Sequence, residues 1–84
     1  MAVHTDLGNL GTGKKAVVTF IHGGIGATGR LDAMGIRPGI VLEKISRQHF
    51  GGPVVVKIGA SRIALGFGMA RKVQVESNLG ESPA

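Results

Sequence analysis

The sequence predicts a small, mainly β fold: a strongly bent antiparallel barrel of five short strands with one brief helix. Runs rich in β-branched residues recur along the chain, with apolar side chains at every second position, as in half-buried strands. Short glycine-containing segments separate these runs, and such tight turns are typical of small β barrels. A chain of 84 residues forms one domain, residues 1–84, with one core.

Five segments fit the strand pattern in order along the chain. They are residues 15–21, 40–47, 54–58, 62–66 and 72–76. The second loses its alternation at Glu43 and Lys44, two adjacent charged residues, so we expect a bulge or sharp bend there. Alternation predicts that the inward-facing residues share one core. They are Val17, Leu42, Val56, Ile58, Leu65 and Val75.

The helix prediction is confined to residues 31–34, because glycine-rich sequence precedes this segment and Gly35 ends it. We expect Leu31 and Met34 to close one open end of the barrel with their apolar side chains. Gly39 follows a proline, which predicts a sharp turn into the next strand with a positive φ at this glycine.

The two ends of the chain are polar. Leu7 and Leu10 are predicted to attach the glycine-rich first dozen residues to the domain. The domain core is therefore expected over about residues 7–76, and residues 77–84 are predicted to be a flexible tail.

Composition narrows the function classes. Cysteine is absent, which excludes disulfides and thiolate metal sites and suits a reducing cytosol. The N-terminus lacks the apolar segment of a signal peptide, and no apolar run approaches the ~20 residues that span a bilayer. We therefore expect a cytoplasmic protein without membrane insertion. The net charge of +5 suits an acidic partner, but the cations are scattered and Tyr and Trp are absent, so nucleic acid is not favoured.

Motifs for catalysis or cofactor binding are weak. Residues 24–29 spell G-x-G-x-x-G after a strand, but a dinucleotide site needs a longer helix and a parallel second strand. The carboxylates form no close pair for acid–base chemistry. His4, His22 and His49 do not have metal-ligand spacing. The sequence thus predicts no cofactor, no metal site and no enzyme activity, although His22 or His49 with a carboxylate would allow a metal site assembled in space.

The order of several short motifs resembles the FeoA family, the small cytosolic component of bacterial ferrous iron transport. The resemblance covers about residues 7–76 and rests on five motifs in the family's order. They are Leu7-x-x-Leu10-x-x-Gly13, Leu31-x-x-Met34-Gly35-Ile36-x-Pro38-Gly39, Phe50-Gly51-Gly52-Pro53, Arg62-Ile63-Ala64-Leu65 and Ala70-x-x-Val73-x-Val75.

The sequence departs from the family pattern in two places. Thr28, Gly29 and Asp32 replace residues that are usually basic or aliphatic, so we expect a weaker helix. Val55 replaces a usually charged residue.

The resemblance implies an SH3-like barrel, similar to the C-terminal module of diphtheria-toxin-repressor-type metalloregulators. It also implies a non-catalytic accessory role, exerted by contact with FeoB, the membrane transporter whose cytosolic part contains a GTP-binding domain. Two alternatives stay open: a basic SH3-like barrel that binds nucleic acid, and a module that binds a transition metal directly.

Candidate contact residues lie in two places. Arg47, His49 and Phe50 stand at the predicted tip between the second and third strands, and an exposed aromatic beside an arginine is typical of protein interfaces. The alternative is that Phe50 folds back and completes the core. Leu31 and Met34 on the helix are the other candidates, with a core role as their alternative.

Overall fold

The computed structural model describes residues 2–47 and 52–78. Its elements are β1 (Ala2–Asp6), β2 (Lys15–Ile21), α1 (Gly24–Ala33), β3 (Val41–Arg47), β4 (Val54–Ile58), β5 (Ser61–Leu65), α2 (Phe67–Ala70) and β6 (Val73–Asn78). The strands form one antiparallel sheet in the order β1-β6-β2-β3-β4-β5. The predicted small, mainly β, SH3-like fold is confirmed. The described residues form six strands rather than five, and no ladder among them closes β5 onto β1.

The additional strand is β1, which the sequence pattern did not predict. It pairs along its whole length with β6, from Ala2 opposite Asn78 to Asp6 opposite Gln74. Because of this pairing, β6 continues to Asn78, two residues beyond its predicted end. A five-residue strand beside a glycine-rich loop carries little signal of its own, and its pairing partner lies at the other end of the chain.

The core face of β2 differs from the prediction at Val17. Ala16, Val18 and Ile21 are buried, whereas the side chain of Val17 is 39% exposed. A bulge between Val18 and Phe20 lets Val18 and Ile21 face the core together. The assignment of Val17 to the core is therefore wrong, because a shift of one residue reverses the faces of a strand. The other predicted core residues are buried or packed against the core: Leu42, Val56, Ile58, Leu65 and Val75.

The irregularity predicted in the second strand is confirmed as a register shift between Lys44 and Ser46 of β3. Lys44 points into the core and is 2% exposed. Its ammonium donates hydrogen bonds to the backbone carbonyls of Leu7 at 3.2 Å and Gly8 at 2.9 Å. A buried ammonium requires such acceptors, and these bonds attach the loop after β1 to the core.

Helix α1 is longer than predicted, because it begins at Gly24 rather than at Leu31. Gly23 precedes it with a left-handed φ of 103°, which turns the chain from β2 into the helix. Ala27 and Leu31, one helical turn apart, are both buried against the sheet. Tertiary burial of this pair outweighs the poor helix propensity of the glycines in α1.

The end of α1 agrees with the sequence. Leu31 is fully buried in the core, and Met34 is partly buried against it. Gly39 has a φ of 98°, which confirms the predicted turn into β3.

Candidate functional site

Exposed apolar side chains concentrate on the outer face of the sheet and on the first turn of α1. The large apolar residues exposed within the described ranges are Val17 (39%), Phe20 (55%), Ile25 (92%) and Val41 (55%). Val17 and Val41 are register partners across β2 and β3. Phe20 lies further along the same face of β2, opposite Gln74. Single exposed apolar residues are common, but a group on one face indicates a contact surface.

A groove of about 620 Å³ separates the end of β2 from α1. Phe20 and His22 line it from the end of β2, and Ile25, Thr28 and Gly29 line it from α1. The rings of Phe20 and His22 meet edge to face, with centroids 4.8 Å apart. Apart from its chain neighbours and the helix backbone, nothing lies within 4 Å of the position that a Cβ of Gly29 would occupy, so the helix wall stays open at this residue. We call this feature the α1 groove.

The polar boundary of the α1 groove is Asp32. Its carboxylate accepts a hydrogen bond from Nε of Arg37 at 2.7 Å, and Nη2 of Arg37 also contacts the backbone carbonyl of Asp32 at 3.4 Å. Both side chains are more than half exposed, so this ion pair contributes little to stability. Its effect is to hold the carboxylate in place beside an otherwise apolar surface.

The α1 groove has a mainly apolar lining with few polar groups. It contains one imidazole, on His22, and one carboxylate, on Asp32. In residues 2–47 and 52–78, no group of three or more His, Asp and Glu side chains is placed to hold a metal ion. An apolar lining with few polar groups favours an apolar side chain as its occupant.

Leu31 and Met34, two of the residues predicted from sequence to contact a partner, do not line the α1 groove. Leu31 has no exposed surface, so a partner cannot touch it unless the core opens. Met34 is partly buried against the core. Arg47 ends β3, and His49 and Phe50 lie outside the described residues. A role for the Arg47–His49–Phe50 tip in binding therefore stays a prediction.

The sequence did not indicate the α1 groove, because the exposure of Phe20 depends on the bulge in β2. One signal was present. Thr28, Gly29 and Asp32, the three departures from the usual helix residues, all line this groove.

A model of the FeoA domain family matches residues 5–77 of the chain. The chain belongs to the FeoA family. A protein of Methanocaldococcus jannaschii named as an Fe(2+) transport protein A is 42% identical to it over 64 residues, which are 76% of either chain.

Solved structures agree with this assignment. The crystal structure of an iron uptake regulatory protein, also a FeoA protein, has a TM-score of 0.79 and 33% identity, and the match covers 87% of this chain and 95% of that one. A manganese-dependent transcriptional repressor has a TM-score of 0.81 at 22% identity, with 93% of this FeoA-family chain matching 44% of the repressor. The second likeness concerns the fold alone, and it confirms the predicted similarity to one module of a metal-dependent regulator.

None of the helices in the described ranges of this FeoA-family chain combines the length and the apolar character that a membrane crossing requires.

Proposed function

We propose that this FeoA-family chain is a non-catalytic accessory protein of ferrous iron transport in the cytoplasm. It acts by binding the cytosolic GTP-binding part of a FeoB-like transporter. Membership of the FeoA family supports the link to iron transport, as do the names of its relatives. The observation that carries the contact role is the α1 groove, where Phe20 and Ile25 stay exposed although Ile21 and Leu31 beside them pack into the core.

Ile25 leaves apolar surface available for burial by a partner. An isoleucine side chain that becomes fully buried gains about 1.5–3 kcal/mol, and Ile25 is 92% exposed. Phe20 beside it offers an aromatic anchor of the kind that dominates interface energies. A partner side chain in the α1 groove would cover both residues at once, which makes this surface the best candidate for the contact with the transporter.

Capture of the purified cytosolic part of the FeoB transporter from the same genome tests this proposal. Ile25→Ser is the sharpest variant, because a side chain so exposed contributes little to folding. We expect it to weaken capture about tenfold, since removal of an interface anchor costs more than ~1 kcal/mol, while the melting temperature stays unchanged. Gly68→Ser, exposed in α2 with open space around its Cβ position and not among the residues that line the α1 groove, is the control and should bind normally.

Phe50→Ser in the same assay tests the predicted tip. Weaker capture by a variant of normal stability would make the tip a second contact. Normal capture by Ile25→Ser would remove the α1 groove from the interface. If the unchanged chain fails to capture the transporter, the proposed role as its partner is wrong.

A further inference from the structure

A row of charged side chains crosses four strands on the outer face of the sheet. The register places Lys15 opposite Glu43, Glu43 opposite Lys57, and Lys57 opposite Arg62. Neighbouring strands lie about 4.8 Å apart, so the row extends over roughly 14 Å. A shallow cavity of about 340 Å³ lies over Lys15, Glu43 and Lys57. We call these four residues the charged row.

The charged row is a mixed pattern with an excess of positive charge, since it holds three cations and one carboxylate. Lys15, Lys57 and Arg62 are exposed, and Glu43 is half-buried. None of the four makes an ion pair within 4 Å with another described residue. Their charges are therefore available to groups outside the domain.

The charged row continues the apolar face described above. Lys15 and Val17 both lie on the outer face of β2, and Glu43 and Val41 lie beside them on β3. The outer face thus changes along β2 from apolar, at Phe20 and the α1 groove, to charged, at Lys15. A partner docked in the α1 groove and lying along this face would reach the charged row.

We propose that the charged row is a second docking surface for the protein partner, and that the partner presents an acidic segment to it. Carboxylates of that segment lie against Lys15, Lys57 and Arg62, and a basic group lies opposite Glu43. This inference rests on the proposed function and specifies the chemistry of that partner. Charge complementarity of this kind fixes the register and orientation of two proteins more than it raises their affinity.

A protein fits the charged row better than a nucleic acid does. Glu43 in the middle of the row would repel a continuous chain of phosphates, whose affinity depends on cation contacts. The adjoining side chains are the aliphatic Val17 and Val41, whereas single-stranded nucleic acid needs aromatic platforms for its bases.

Neutralisation of the row is the first test. The double variant Lys57→Gln/Arg62→Gln removes two exposed cations from the row. The matched control is Arg30→Gln/Arg71→Gln, which also removes two cations. These lie in α1 and at the end of α2, away from the outer face. In capture of the purified transporter part, we expect the row variant to bind roughly fivefold more weakly and the control to bind normally, because exposed charge pairs contribute modestly.

Glu43→Gln distinguishes the two classes of partner. Loss of this carboxylate should weaken capture of the transporter part, whereas it would strengthen the binding of a 20-base-pair DNA or RNA duplex used as a second probe.

If the row variant captures the transporter as well as the control does, the inference is wrong and the proposed function stands. The row would instead bind nucleic acid under three conditions. The row variant binds the duplex more weakly, Glu43→Gln binds it more tightly, and capture of the transporter part is unchanged in both variants. If the unchanged chain captures nothing, the proposed function fails and the inference fails with it.

Discussion

Gly39 shows how one residue determines the path of the chain between α1 and β3. Its φ is 98°, and its N–H donates a hydrogen bond to the carbonyl of Val18 at 2.8 Å. Apart from Gly39 itself and its two chain neighbours, no residue has an atom within 4 Å of the position that a Cβ would occupy. A side chain at residue 39 would therefore strain the backbone without any clash.

We expect Gly39→Val to lower the free energy of unfolding by about 1–3 kcal/mol, because a β-branched residue is strongly disfavoured at positive φ. Urea denaturation monitored by circular dichroism measures the change. Gly66→Val is the matched control, since Gly66 has an extended φ of −60° and equally open space around its Cβ position. Equal stability of the two variants would mean that the turn does not depend on the conformation of Gly39.

At the scale of the elements, sequence patterns identified β2 to β6 because each is a short run rich in apolar residues, bounded by turn residues. They missed β1, whose order comes from pairing with β6 at the far end of the chain. They also placed the start of α1 seven residues late, at Leu31 instead of Gly24. The glycines of α1 disfavour a helix locally, and only the sheet beneath Ala27 and Leu31 makes it stable.

The glycines of α1 give a prediction about this helix. Gly24 and Gly26 both have open space around the Cβ position, but Gly24 has a φ of 70° and Gly26 has no left-handed φ. Gly26→Ala should therefore raise the free energy of unfolding by about 0.5–1 kcal/mol, through better helix propensity and a less flexible unfolded chain. Gly24→Ala should lower it.

Thermal melts of the two variants beside the unchanged chain test this contrast. Gly26 does not line the α1 groove, so Gly26→Ala should also capture the transporter normally. Stabilisation by both alanines would show that Gly24 does not keep its left-handed φ.

At the scale of the whole molecule, the candidate surfaces exist only in the folded sheet. The α1 groove requires the bulge that turns Phe20 outward, and the charged row requires the register of four strands. Neither follows from the alternation within one strand. The sequence did show the family motifs that identify the fold, because these mark turns and core positions of single elements.

The core of the molecule is one cluster of buried apolar residues with a cation inside it. Lys44 of β3 is the register partner of Val56 on β4, and both side chains are buried. Val75 on β6 is equally buried, but its register partners are Val18 and Thr5, which carry no charge. Aspartate at residue 56 would therefore lie beside the ammonium of Lys44, whereas aspartate at residue 75 would have no cation among its register partners.

We expect Val75→Asp to unfold the domain, because an unpaired buried charge costs several kcal/mol, on the order of the ~5 kcal/mol that stabilises a chain of this size. Val56→Asp should be destabilising too, but it should keep a cooperative thermal transition, since its carboxylate can pair with the ammonium of Lys44.

Circular dichroism melts and amide proton dispersion in NMR spectra distinguish a folded from an unfolded chain. Adding Lys44→Met to Val56→Asp should abolish the transition, while Lys44→Met alone should still melt cooperatively. If Val56→Asp and Val75→Asp are equally unfolded, the ammonium of Lys44 stays on the carbonyls of Leu7 and Gly8 and does not pair with the new carboxylate.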